Sequence, residues 1–157
     1  MRRFGMFGYS CLLWTINMIL IVLSYFVTGI VYAAPFLMIA IFIAFFMMIV
    51  TARKEHTDLK HILKTSAGWT KIIAFVSIAY TLVNFAVCMI LLREGGPHID
   101  NGVYCLWNHG FIREITKHEY DSLMRVRGRL STGHMLIFAA LPIVFFSSQK
   151  QKNTSKS

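Results

Sequence analysis

Long apolar blocks alternate with polar segments along this chain. Residues 11–32, 34–50 and 72–92 contain no Asp, Glu, Lys or Arg. Each block approaches or exceeds the roughly 20 apolar residues that a helix needs to cross a hydrocarbon core. A fourth block, 133–148, is weaker because its apolar run is short and contains Pro142. It is expected to cross only where the bilayer thins or where other helices shelter it.

The segment 93–132 is the long polar stretch between apolar blocks. Residues 103–107 and 111–115 are rich in strand-forming side chains, so they predict a β-hairpin. We expect Gly110 to supply the positive φ that the short turn between the strands needs.

A helix is predicted directly after this hairpin. Thr116 followed by Glu119 forms a capping-box pattern at its start, and the helix is expected to weaken at Gly128. A second, shorter helix, lying on the membrane surface, is predicted within the basic loop 51–71.

These elements predict an α-helical membrane protein with four transmembrane helices and a small outer β-hairpin plus helix module. The predicted organisation, in chain order, is three transmembrane helices with their basic loop in 1–92, the outer module in 93–132, the fourth transmembrane helix in 133–148 and a disordered basic tail in 149–157.

Composition agrees with a membrane protein, since 56% of the residues are hydrophobic and 15% are charged. The net charge is +9, but the cations are scattered between apolar blocks and predict no nucleic-acid partner. Ten of the 16 Lys and Arg lie in the N-terminus, the 51–71 loop and the tail. The positive-inside rule therefore puts both termini in the cytoplasm. The first block is longer than the apolar core of a signal peptide, so retention is expected over cleavage after Ala33.

Four polar residues recur along one face of the third block: Ser77, Thr81, Asn84 and Cys88. We interpret this stripe as a helix-packing surface, because Asn and Thr hydrogen-bond between membrane helices. The alternative is a transport pathway or a ligand face.

No residue pattern indicates catalysis, a metal or a cofactor. The polar segment holds several residues of suitable chemistry, but they lack ligand spacing and a nucleophile with an adjacent base: His98, Asp100, Cys105, His109, Glu114, His118 and Glu119. Cys11, Cys88 and Cys105 form no disulfide framework, and we expect Cys88 and Cys105 to stay unpaired.

The hairpin carries the predicted partner-binding residues: Tyr104, Leu106, Trp107, Asn108, His109 and Gly110. Aromatic residues beside a polar turn are favoured anchors in recognition surfaces. The same aromatics are also favoured at a membrane interface.

Three segments carry a resemblance to a known group: Tyr104-x-Leu106-x-Asn108-His109-Gly110, Ile115-Thr116-x-x-Glu119-Tyr120 and Gly133-His134-Met135. They resemble the C-terminal half of small uncharacterised inner-membrane proteins of Gram-negative bacteria. The four-helix topology is similar to that of membrane immunity proteins, which protect toxin producers. The resemblance implies a multi-pass inner-membrane protein that recognises a toxin or another protein on the outer side. The alternative is a small membrane enzyme or transporter accessory subunit that uses the outer histidines or the polar stripe.

Overall fold

The computed structural model describes residues 2–154, which form a helical bundle with a small sheet at one end. The elements in chain order are α1 (Arg2–Leu23), α2 (Ile30–Lys54), α3 (Leu59–Thr65), α4 (Gly68–Leu91), β1 (Gly96–Asp100), β2 (Val103–Trp107), β3 (Phe111–Glu114) and α5 (Lys117–Thr154). Four helices of the described chain, α1, α2, α4 and α5, are long and apolar enough to cross a membrane.

Helix α5 is the centre of the bundle, and α1, α2 and α4 each pack against it. Within the apolar windows of the four long helices, 61% of α5 is buried, against 17–22% in the other three. Leu136, Ala140 and Ile143 are among its fully enclosed side chains. The weakest apolar block in the sequence is therefore part of the most buried helix. Because other helices cover α5, it does not need apolar side chains on every face.

Helix α5 also corrects the predicted boundary at Gly128, because it continues without a break from the sheet into the bundle. A Cβ at Gly128 would lie 3.5 Å from the Val31 nitrogen and 3.7 Å from the Ile30 Cβ. The glycine thus permits close approach to the start of α2 and does not end the helix. The predicted outer helix and fourth transmembrane helix are one element.

The ends of two other predicted segments also differ. Helix α1 ends at Leu23 and α2 begins at Ile30, so residues 24–29 form the connection that was predicted near residue 33. Tyr25, Phe26 and Val27 in this connection are exposed and apolar, and hydropathy does not separate such turn residues from a helix. At the other terminus α5 extends to Thr154, into the predicted disordered tail. Residues 155–157 lie outside the described part of the chain.

The sheet has three antiparallel strands in the order β1-β2-β3, so the predicted hairpin was incomplete. Strand β1 was not predicted. Its turn into β2 places Asn101 at φ 47° and Gly102 at φ 83°, the two positive values of a type I′ hairpin.

The β2–β3 turn corrects the expectation for Gly110. The positive φ belongs to His109, at 56°, and Gly110 is not in the left-handed region. The amide of Asn108 donates to the Gly110 carbonyl at 3.0 Å, which closes the turn. Histidine is among the non-glycine residues enriched at positive φ, so the turn does not require glycine at this position.

The two ends of the bundle carry different structures. The sheet end holds the α1–α2 connection, the end of α4 and the three strands. The α3 end holds the short helix α3, which contacts α5, and the last turns of α5. There the Ala67 amide donates to the Ser147 hydroxyl at 3.2 Å, and the rings of Phe7 and Trp69 meet edge to face. Both ends of the 51–71 loop therefore lie opposite the sheet.

Candidate functional site at the sheet end

The sheet is fixed to α5 through one of its two faces. Leu106 is 2% exposed, and the rings of Tyr104 and Tyr120 lie 4.9 Å apart. The Ile115 amide donates to the Tyr104 carbonyl at 2.9 Å, which ties the entry of α5 to β2. Apolar burial and ring packing thus hold the sheet in one orientation on the first turns of α5.

An ion-pair cluster reinforces this attachment. The Arg113 guanidinium donates to both carboxylate oxygens of Glu119, at 2.6 and 3.3 Å, and to Glu94 at 3.3 Å. The neighbouring carboxylates raise the pKa of Arg113 above its already high value. The Thr116 hydroxyl accepts the Glu119 amide at 3.1 Å, the first half of the predicted capping box. The Glu119 carboxylate is held by Arg113, so it joins α5 to β3.

The opposite face of the sheet points away from this attachment. Strand register pairs His98 with Cys105 and Trp107 with Phe111, and alternation adds Val103 on the same side. Trp107 is 44% exposed and Phe111 56% exposed. The His98 ring lies 5.4 Å from the Trp107 ring. We call His98, Val103, Trp107 and Phe111 the outer face. Cys105 is on the same side, between Val103 and Trp107, but its side chain is enclosed.

Two carboxylates flank the outer face. Asp100 pairs with Val103, and Glu114 pairs with Cys105, so both acids project on this side of the sheet. Both are exposed. An aromatic centre with a charged margin has the composition of a recognition surface.

The predicted partner-binding residues are divided between the two faces and the turn. Trp107, Asn108 and His109 are exposed, and Gly110 is half-buried. Tyr104 is half-buried against Tyr120, and Leu106 is enclosed below the sheet, so the hairpin does not present Leu106.

Val103, Phe111 and His98 were missing from the predicted set. The period of two along β2 would have grouped Val103 with Trp107 and separated both from Leu106. The Asn101-Gly102 pair, a strong hairpin signal, would have placed His98 on an adjacent strand.

The polar stripe of α4 is buried against α5. The Thr81 hydroxyl donates to the Gly133 carbonyl at 2.9 Å, and the Asn84 amide donates to the Arg129 carbonyl at 3.0 Å. The Cys88 thiol contacts the Val126 carbonyl at 3.7 Å. The stripe therefore meets the backbone of α5 over about two turns.

Helix α1 also makes polar contacts, one with α4 and one with α5. The Trp14 indole donates to the Ser77 hydroxyl at 3.1 Å, so Ser77 joins α4 to α1. The Asn17 amide donates to the Thr132 carbonyl of α5 at 3.1 Å. A backbone carbonyl accepts a hydrogen bond whatever side chain its residue carries. The bonds from the Asn17 and Asn84 side-chain amides to α5 carbonyls therefore fix the position of α5 between α1 and α4.

The candidate ligands do not converge. Within residues 2–154, no group of three or more His, Cys, Asp or Glu side chains is arranged to hold a metal ion. Cys11, Cys88 and Cys105 are free thiols. The Cys105 thiol contacts the His98 carbonyl within the sheet, whereas Cys88 contacts α5 in the bundle.

Comparisons with protein-family models, with curated proteins and with solved structures found no match to this chain.

Proposed function

We propose that this chain is a non-catalytic integral membrane protein that recognises a protein partner through the outer face of its sheet. The observation that carries the proposal is the exposure of two neighbouring aromatic side chains, Trp107 and Phe111, on the outer face. Leu106 is enclosed against α5, while Trp107 and Phe111 remain 44% and 56% exposed. Exposed aromatic clusters of this kind are frequent anchors of protein interfaces.

Membrane insertion is supported by the outward surfaces of the helices around α5. Phe36 on α2 and Phe75 on α4 are 77% and 73% exposed, and both belong to apolar helices long enough to span. In water such surfaces would drive association, whereas in a bilayer they contact lipid. The proposed location is the inner membrane of a Gram-negative bacterium. The charge distribution supports cytoplasmic termini and a sheet on the outer side.

Recognition of a partner explains the outer face better than contact with lipid does. Asp100 and Glu114 project beside the aromatic residues. A carboxylate loses hydration on entering the membrane interface and is repelled by anionic headgroups. At a protein interface, the same carboxylates form a polar rim around an aromatic centre. They also favour a partner that carries positive charge.

A membrane-active toxin is the specific partner that we propose. Membrane-active peptides commonly combine a cationic face with an apolar face, which complements aromatic residues flanked by carboxylates. The four-helix topology also resembles that of immunity proteins. In this proposal the chain protects its host cell by binding the toxin at the outer surface of the membrane.

The alternative, a membrane enzyme or transporter accessory subunit, has less support. The stripe residues Thr81 and Asn84 contact the α5 backbone, which leaves them engaged in packing. Among the described residues, the outer histidines belong to no group of three potential ligands.

A protection assay tests the proposal. Cells producing the chain are challenged with a panel of cationic membrane-active toxins, and survival is compared with that of cells carrying Trp107→Ala/Phe111→Ala. We expect protection against at least one toxin, and at least a tenfold loss of survival in the double variant at equal membrane abundance. Phe75→Ala, which removes an exposed aromatic side chain from α4, is the matched control and should protect normally. Equal protection by the double variant would contradict recognition through the outer face.

A further inference from the structure

A second feature of the sheet end is a cavity of about 540 Å³ between α2, β1 and α5. Its polar lining includes Tyr32 from α2, His98 from β1, and Tyr120, Arg127 and Ser131 from α5. The cavity adjoins the outer face at His98, which belongs to both, but Trp107 and Phe111 are not among its lining residues. Its volume is within the roughly 300–1,000 Å³ typical of small-molecule sites.

Helical spacing explains why three of these polar groups converge. Tyr120, Arg127 and Ser131 are separated by seven and four residues, so they share one side of α5. Tyr32 of α2 lines the same cavity. Hydroxyl groups from two helices and one guanidinium therefore line the same space.

The electrostatic character of the cavity favours an anion. Arg127 is exposed and contributes a full positive charge. No Asp or Glu is among the described residues that line the space. A guanidinium offers paired N–H donors that match the oxygens of a phosphate, and tyrosine and serine hydroxyls supply further donors. The remaining lining includes apolar side chains, among them Val31, Pro35 and Met124.

The position of the cavity bears on where an anionic ligand would come from. Val31 and Pro35 lie in the first turns of α2, and the same helix continues with the exposed apolar residues Phe36, Ile39 and Ile43. A phosphate in the cavity would therefore have an apolar helix surface directly below it. This arrangement suits an amphiphile whose headgroup enters the cavity while its chains lie along α2.

We propose that this cavity binds the phosphodiester headgroup of a phospholipid from the leaflet at the sheet end, with Arg127 as the principal contact. The inference rests on the proposed membrane insertion and is independent of the proposed protein partner. A bound lipid would bridge α2, β1 and α5, and so stabilise the attachment of the sheet to the bundle.

The test uses the full chain purified in a non-ionic detergent, titrated with dioctanoylphosphatidylglycerol and followed by native mass spectrometry. Arg127→Ala should weaken binding by about tenfold, as expected for loss of a charge-assisted contact to phosphate. Tyr120→Phe, which keeps the ring against Tyr104, should weaken binding by a smaller factor. Arg125→Ala removes a nearby arginine that does not line the cavity, and should bind normally.

Two further probes distinguish the source of the phosphate. Dioctanoylglycerol, which lacks the phosphate, should bind at least tenfold more weakly, and inorganic phosphate should not compete at millimolar concentration. Equal binding of dioctanoylglycerol, equal binding of inorganic phosphate, or equal losses in Arg125→Ala and Arg127→Ala would each overturn the proposal. The Trp107→Ala/Phe111→Ala variant should bind the lipid normally, so failure of the partner hypothesis is separable from failure of this one.

Discussion

The backbone φ of each turn glycine in the sheet determines whether alanine can replace it without strain. Gly102 has φ 83°, whereas Gly110 lies outside the left-handed region, and a Cβ at either position would meet nothing within 4 Å. Gly102→Ala should therefore lower the free energy of unfolding by about 1 kcal/mol through backbone strain alone. Gly110→Ala should be neutral or slightly stabilising. Thermal unfolding in detergent measures both, and equal destabilisation would contradict the assigned φ values.

His109 combines a positive φ with an exposed side chain next to the outer face. His109→Gly removes the imidazole and suits the turn, so it isolates the contribution of the side chain to recognition. We expect reduced toxin protection at normal membrane abundance. His109→Val should instead lower abundance, because a β-branched residue is strained at positive φ. Full protection by His109→Gly would exclude the imidazole from the partner contact.

Gly133 controls the approach of α4 to α5. A Cβ at this position would overlap the Asn84 side-chain nitrogen. Gly133→Ala should therefore destabilise the bundle by about 1–3 kcal/mol. The double variant with Asn84→Ala should recover part of the loss, because it removes the overlapping amide. Gly8→Ala in α1, where a Cβ meets nothing within 4 Å, is the control and should not destabilise. Additive losses in the double variant would contradict direct contact between the two positions.

Elements that depend on neighbouring residues were predicted from the sequence, whereas elements that depend on contacts with distant residues were not. Strands β2 and β3 and the Thr116 cap follow from local pattern, and the structure confirms them. Strand β1 contains Pro97 and polar residues, so its own composition does not predict a strand; its signals are the Asn101-Gly102 turn and its pairing with β2. Gly128 resembles a helix stop locally, but packing against α2 keeps α5 continuous.

At the scale of the whole molecule, hydropathy identified the apolar blocks but not their arrangement. It ranks 133–148 as the weakest block, whereas α5 is the helix that the other three long helices surround. A central helix is shielded by protein, so it tolerates Gly, Thr and Ser that a lipid-facing helix would expose. Composition alone does not distinguish a sheltered helix from a poor membrane span.

The orientation of the molecule in the membrane gives the final prediction. Ten of the 16 Lys and Arg lie in the N-terminus, the 51–71 loop and the tail. Nine of these belong to the described residues and lie at the α3 end, while the sheet end holds the other six. Alkaline phosphatase, which is active only outside the cytoplasm, should be active when fused after Asn101 and inactive when fused after Lys60 or Lys152. Western blots of the fusions control for abundance. Activity after Lys152 would mean that α5 does not cross, in conflict with its packing along α1, α2 and α4. Activity after Lys60 with none after Asn101 would reverse the orientation and place the outer face in the cytoplasm, away from any external toxin.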